Sequence, residues 1–212
     1  MRTLCIALAF FIAAPAALAA GLEEDVYALQ LAWEQVKYRH PAAEQEAAFE
    51  QLAGMASQVR ARHPERAEPE IWYGIIVASQ AGAKGGLGAL SLAKEAKRAL
   101  EHAIAIDPEA LEGSAYTSLG SLYYQVPGWP IGFGDKEKAR ELLQHALIVN
   151  PDGIDPNYFL GDFLYRKGDY AGAREALQHA LKAPPRARRP LADEGRRREI
   201  ESLLKEIRAK GG

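Results

Sequence analysis

Apolar positions along the chain recur at spacings of three and four, and each recurring block ends at a proline. Three blocks carry the pattern most clearly: AKRALEHAIAIDP (96–108), ARELLQHALIVNP (139–151) and AREALQHALKAPP (173–185). In them Ala96, Leu100, Ala103 and Pro108 match Ala139, Leu143, Ala146 and Pro151, then Ala173, Leu177, Ala180 and Pro185. Steps of four and three put the apolar members on one helical face, and the proline stops the helix. Upstream of each block lies a second helical pattern with a glycine at its centre: Gly74 in IWYGIIVA, Gly120 in YTSLGSLYY and Gly161 in YFLGDFLY. A glycine inside a helix costs about 1 kcal/mol against alanine. Its recurrence therefore predicts a close approach by a partner helix. The unit is a helical hairpin, with large residues of one helix packed over glycine and alanine of the other.

The same plan extends to both ends of the chain. Two looser helices are expected at 23–39 and 42–62, closed by Pro64, and the step from Pro64 to Gly74 equals that from Pro151 to Gly161. At the other end, ADEGRRREIESLLKEIRAK places Ile200, Leu203, Leu204 and Ile207 on one face, with Arg and Glu elsewhere. A stacked array needs such a polar-backed cap. The hairpin units are thus predicted at about 23–64, 67–108, 113–151 and 154–185, followed by a capping helix at about 193–209. Together they form a single domain over 20–212, with about nine helices and no sheet. The last unit, DPNYFLGDFLYRKGDYAGAREALQHALKAPP, resembles the tetratricopeptide repeat in frame, through Leu160, Gly161, Leu164, Gly168, Ala173, Leu177, Ala180 and Pro185. The fold class implied is all-α: a tetratricopeptide-like α-solenoid of stacked helical hairpins with a C-terminal capping helix.

Two units depart from this frame by insertion. Gly161 to Ala173 spans 12 residues, Gly120 to Ala139 spans 19, and Gly74 to Ala96 spans 22. The glycine-rich AGAKGGLGALSL (81–92) lacks a Gly-Lys-Ser/Thr triplet and a preceding strand, so it is expected to be a flexible joint. The other insertion, within YYQVPGWPIGFGD (123–135), is apolar and stiffened by Pro127 and Pro130. Burying one tryptophan of roughly 200 Å² is worth about 5 kcal/mol at about 25 cal/mol per Å². Trp129 and Phe133 are accordingly expected against other atoms, either as plugs of the solenoid or as the wall of a binding cleft. The repeat frame places Thr117, Ser121 and Tyr124 of one unit, and Tyr158, Asp162 and Tyr165 of the next, on the inner, concave face. Tyrosines, short hydroxyls and a carboxylate there suit hydrogen bonding to a bound chain or molecule.

Charge and chemistry narrow the function. Arg2, the apolar run from Leu4 to Ala14, and Ala17 with Ala19 match a cleaved secretory signal cut after Ala19. The mature chain is then periplasmic and without cysteine, since Cys5 is the only one. Removing residues 1–19 takes one of the 26 basic residues and none of the 28 acidic ones, which leaves no footprint for nucleic acid. The basic RARR and RRR near the end stand beside acidic residues and are expected to form a solvated face. His102, His145 and His179 hold equivalent positions one repeat apart, roughly 10 Å, which is too far to share a metal bound at about 2 Å. Trp33 and Trp72 fall at large-residue positions of first helices and are expected in the core. With no catalytic arrangement of Ser, His, Asp or paired carboxylates, no metal set and no cofactor motif, the chain reads as a binding protein rather than an enzyme.

Beyond the general repeat, SAYTSLGSLYYQVPGWPIGFGDKEKARELL, the last unit and ADEGRRREIESLL resemble the TatT family of periplasmic proteins linked to tripartite ATP-independent periplasmic (TRAP) transporters. The likeness is strongest from about Ser114 to Leu204, and the lipid-anchoring cysteine of some members is missing. Two functions of different class follow. One is an adaptor that docks a protein or peptide in the periplasm on its concave surface. The other, implied by the resemblance, is a transporter accessory that binds a small organic ligand or the substrate-binding subunit.

Overall fold

The computed structural model describes residues 14–211, with side chains over 21–211. The expected signal segment, residues 1–19, falls for the most part outside them. Nine helices occupy the described residues: α1 (Ala14–Arg39), α2 (Ala42–Arg62), α3 (Ala67–Lys84), α4 (Ala89–Ile106), α5 (Ala110–Gln125), α6 (Lys136–Val149), α7 (Ile154–Lys167), α8 (Tyr170–Ala180) and α9 (Pro190–Ala209). They are joined as antiparallel hairpins of the tetratricopeptide type, as the periodicity predicts. Local chemistry sets their ends. Asp135 accepts from the backbone N–H groups of Glu137 and Lys138 at 2.9 and 3.0 Å, and so caps α6. Gly168, at φ 83°, closes α7 in the left-handed conformation that its missing side chain permits.

The glycine in each first helix is explained by what lies over it. A methyl group added at Gly74, Gly120 or Gly161 would meet Cγ of Leu100, Leu143 or Leu177 at 2.7, 2.9 and 2.6 Å. All three leucines are fully buried, as are Ala96, Ala139 and Ala173 one turn earlier on the same helices. Each hairpin is thus zipped by a leucine resting on bare backbone. That approach is closer than any side chain would permit.

The two insertions differ in kind. Relative to Gly161 in α7, α3 runs a turn further past Gly74, and α4 starts a turn earlier before Ala96 than α8 does before Ala173. Most of the glycine-rich stretch has therefore extended two helices, and the expected joint shrinks to Gly85–Gly88. Alanine and leucine favour helix strongly enough to carry the isolated Gly82. The second insertion is a true loop between α5 and α6.

Helices α1, α3, α5, α7 and α9 touch one another in that order, while α2, α4, α6 and α8 have no contact among themselves. The odd-numbered helices thus line the inside of the curve and the even-numbered ones the outside. The inner row also closes on itself, because α9 meets α1 as well as α7 and α8. Ile200, Leu203, Leu204 and Ile207 bury the C-terminal half of α9 against Leu177, Ala180 and Ile154, which is the expected cap. Its N-terminal half reaches across to α1, where Gly195 lies so close to the Tyr38 ring that a Cβ would overlap it.

Gly161→Ala tests the zip. Propensity alone favours alanine by about 1 kcal/mol. The overlap with Leu177 reverses the sign, and urea unfolding is expected to show a net loss of about 1–3 kcal/mol.

Candidate interaction surface

The inner face is filled by the protein's own side chains. Tyr124 of α5 donates its hydroxyl to Asp162 Oδ2 of α7 at 2.7 Å, and Arg166 Nε reaches both oxygens of that carboxylate at 2.9 and 3.0 Å. Burial, with the Asp162 charge beside it, pushes the Tyr124 hydroxyl well above the usual tyrosine range, so it stays a donor. Tyr158 lies under the Arg196 guanidinium, 4.2 Å from its ring centre, and burial pushes its hydroxyl up to about 12 against the pull of that cation. Tyr165 donates to Glu206 Oε2 of α9 at 2.8 Å.

Asp155 at the start of α7 is the hub of this region. Arg196 Nε donates to its Oδ1 and Arg186 Nη1 to its Oδ2, both at 2.8 Å. Arg186 also grips Asp193, and Arg196 grips Glu199, each at 2.6 Å. Burial works to raise the Asp155 carboxyl, but the guanidinium groups of Arg196 and Arg186 outweigh it and hold the group well below the usual carboxylate range.

Several expectations are corrected here. Thr117 and Ser121 do not line a surface: they are only 4% and 9% exposed, and Ser121 Oγ donates to the Ser118 carbonyl. Their short side chains are covered by the fold and do not present their hydroxyls to solvent. The RARR and RRR arginines are not a uniformly solvated face. Arg186, Arg189 and Arg196 turn inward, Arg197 donates to the Leu181 and Ala183 carbonyls beyond α8, and Arg188 and Arg198 remain exposed. A signal for this was present in the sequence. Arg189, Arg196, Ile200, Leu203 and Ile207 share one helical stripe, so the apolar face of α9 continues as arginine. Trp33 and Trp72 are buried, as expected. His102 and His179 are exposed beside Glu70 and Asp152, while His145 stacks on Tyr116 with ring centres 4.2 Å apart.

The α5–α6 loop divides its two large aromatics. Phe133 is the plug: it packs edge-on against Tyr123, 5.4 Å between centres, and joins the core around α4. Trp129 is neither plug nor cleft wall. It is 90% exposed, with the exposed Ile131 two residues on. Backbone bonds hold this shape, from Gly134 N to the Pro127 carbonyl and from Asp135 N to the Tyr123 carbonyl, both 2.9 Å. The loop is narrow because Gly132 and Gly134 lie against the Val126–Pro127 backbone with no room for a side chain. That arrangement turns the tip away from the solenoid.

The tetratricopeptide repeat family matches residues 131–190. Among solved structures, a thermophilic tetratricopeptide-repeat protein of Thermus thermophilus superposes with a TM-score of 0.57. That match covers 89% of this chain and 95% of the other, at 16% identity. MamA gives a TM-score of 0.45 at 20% identity over 79% and 91%, and PilF of Pseudomonas aeruginosa 0.37 at 15% over 90% and 99%. No curated protein matches the sequence. The chain folds as a tetratricopeptide-type α-solenoid. Among the described residues no helix is long and apolar enough to cross a membrane, and no three His, Cys, Asp or Glu converge as metal ligands would.

Asp155 yields a prediction with a definite sign. Because its folded pKa is depressed, its stabilisation is present above the unfolded value of about 3.9 and is lost as pH falls through and below it. Asp155→Asn removes the partner that Arg186 and Arg196 share, and because a third of Asp155 is open to water and each arginine keeps a second carboxylate, it is expected to cost about 1–2 kcal/mol at pH 7. Thermal unfolding should show the wild-type midpoint falling faster between pH 5 and pH 3 than that of the variant.

Proposed function

We propose that this protein is a periplasmic interaction scaffold that docks a protein partner through the projecting Trp129 loop. The observation that carries this is the 90% exposure of Trp129 at the tip of a loop whose two strands are bonded together. A large aromatic held in water gives nothing to folding. On a preorganised support it is the residue type that dominates binding energy at protein interfaces, because little ordering cost remains to be met on association. Ile131 extends the same tip. On the inner face Asp162 is already taken by Tyr124 and Arg166, and Asp155 by Arg186 and Arg196, so docking begins at the loop. Export to the periplasm rests on Arg2, the apolar Leu4–Ala14 run and the Ala17–Ala19 pair.

Trp129→Ala is expected to change stability by less than about 0.5 kcal/mol, whereas Phe133→Ala, which opens a space against Tyr123, should lose about 2 kcal/mol or more. A photo-crosslinking residue at position 131 should trap one partner in the native cell, and Trp129→Ala should abolish that adduct. An undiminished adduct would refute the loop as the docking anchor. For localisation, the intact mass of the protein from the periplasmic fraction should correspond to a chain starting at Ala20. A full-length mass in the cytoplasm would contradict export.

A further inference from the structure

The contact that closes the ring has an unusual composition. Two consecutive arginines of the α8–α9 connection, Arg188 and Arg189, each meet a carboxylate of α1 and an aromatic face, Tyr27 of α1 under Arg188 and Trp72 of α3 under Arg189. The Arg188 guanidinium sits 3.8 Å over the Tyr27 ring and donates to Glu23 Oε1 at 2.7 Å and Glu24 Oε1 at 3.4 Å. Arg189 lies 5.0 Å over the Trp72 ring, with Nε 3.5 Å from Glu34 Oε2.

The second of these seats is badly filled. Glu34 is 2% exposed and Trp72 5%. Yet Glu34 Oε2, Trp72 Nε1 and Arg189 Nε all lack a hydrogen-bond partner. A buried carboxylate oxygen without a donor is costly, and a guanidinium in the right register satisfies carboxylate oxygens with parallel N–H donors. Arg189 is held short of that register. It directly precedes Pro190, the first residue of α9, whose far half is fixed by Ile200, Leu203, Leu204 and Ile207. Burial accordingly pulls the Arg189 guanidinium below its ordinary value despite the carboxylate beside it.

Room continues beyond the first seat. A cleft of about 340 Å³ runs from Arg188 between α1 and the starts of α3 and α5, lined by Leu22, Val26, Tyr27, Gln30, Glu68 and Leu111. Its Leu111 wall is backbone under strain, for Leu111 and Glu112 hold φ of 49° and 56°. The cleft offers apolar surface and acidic groups together, while its own Arg66 is paired with Glu68. Its chemistry matches an extended basic peptide with small apolar side chains.

We propose that the α1–α3 face bearing Glu23, Glu24, Tyr27, Glu34 and Trp72 is a receptor for an arginine-bearing peptide segment of a partner, and that Arg188–Arg189 is a displaceable stand-in for it. An incoming arginine free of the α9 tether can satisfy Glu34 Oε2 where Arg189 does not, while Trp72 offers it only its ring face. Its entry frees the 186–190 connection from α1, while the Gly195–Tyr38 contact and the cap on α7 and α8 stay in place. The site lies apart from the Trp129 loop, so loss of either leaves the other to be measured.

The test uses the full chain and a fluorescein-labelled peptide of residues 184–191, PPRARRPL. Wild-type protein should bind it weakly by anisotropy, because the seats are taken. Arg188→Gln/Arg189→Gln should bind at least tenfold tighter, and adding Glu34→Gln to that variant should remove the gain. The same peptide with glutamine at its three arginines should not bind. A folded double variant with no gain in affinity, or a gain indifferent to Glu34→Gln, overturns the proposal. If the double variant fails to fold, hydrogen exchange of the wild-type chain decides: excess peptide should deprotect residues 186–192 while the amides of α3 and α5 keep their protection. Unchanged protection of residues 186–192 overturns it equally.

Discussion

A leucine lying directly on a glycine backbone sets the geometry of this molecule. Leu100 over Gly74, Leu143 over Gly120 and Leu177 over Gly161 fix how near the two helices of a hairpin can come, with no atom to spare. Packing of this kind is limited by repulsion, so its tolerance is a few tenths of an ångström. Because the contact recurs in three successive hairpins, the same separation is imposed three times. The odd-numbered helices then lie side by side along the inside of the array.

The curve ends by meeting itself, and there the physics changes from packing to charge. An open array leaves two ends to be covered, but here α9 covers α8 with isoleucine and leucine, and α1 with arginine and glycine. Asp155, Arg186, Arg196, Asp193 and Glu199 form a network whose members largely satisfy one another. Networks of this kind contribute less to stability than an apolar core of equal volume, because each ion must leave water, but they demand one arrangement. Beside it, the Glu34, Trp72 and Arg189 group is unsatisfied. The two neighbouring regions thus have opposite characters, one locked and one poorly matched, and the second is where exchange with an outside group gains most.

The α5–α6 loop shows the same division between structure and exposure on a smaller scale. Phe133 is committed to the core against Tyr123, and this fixes the base of the loop. Trp129, four residues earlier, is left in solvent. A flexible loop would hide such a side chain by collapse. The bonded Gly134–Pro127 pair and the narrow glycine-lined backbone prevent it. The aromatic is therefore kept available at the cost of exposed apolar area, an arrangement with a rationale only if something else covers it.

The helices, their pairing and the cap were legible in the chain itself, because each depends on spacing over a few residues. Gly161, Ala173 and Leu177 announce a hairpin through their place in the helical period, and Ile200, Leu203, Leu204 and Ile207 announce a buried stripe. What the same arithmetic misjudged were features set by distant partners. Thr117 and Ser121 carry no mark of the burial that the fold imposes on them. Arg186, Arg189 and Arg196 look solvated until Asp155 and Glu34, far away along the chain, are brought alongside by the curvature. Trp129 looks buried by its size, until a turn points it outward. Period and propensity act within a helix and are written in order along the chain. Charge pairing and exposure depend on where the accumulated rotation of several hairpins carries each residue, and only the folded array decides that.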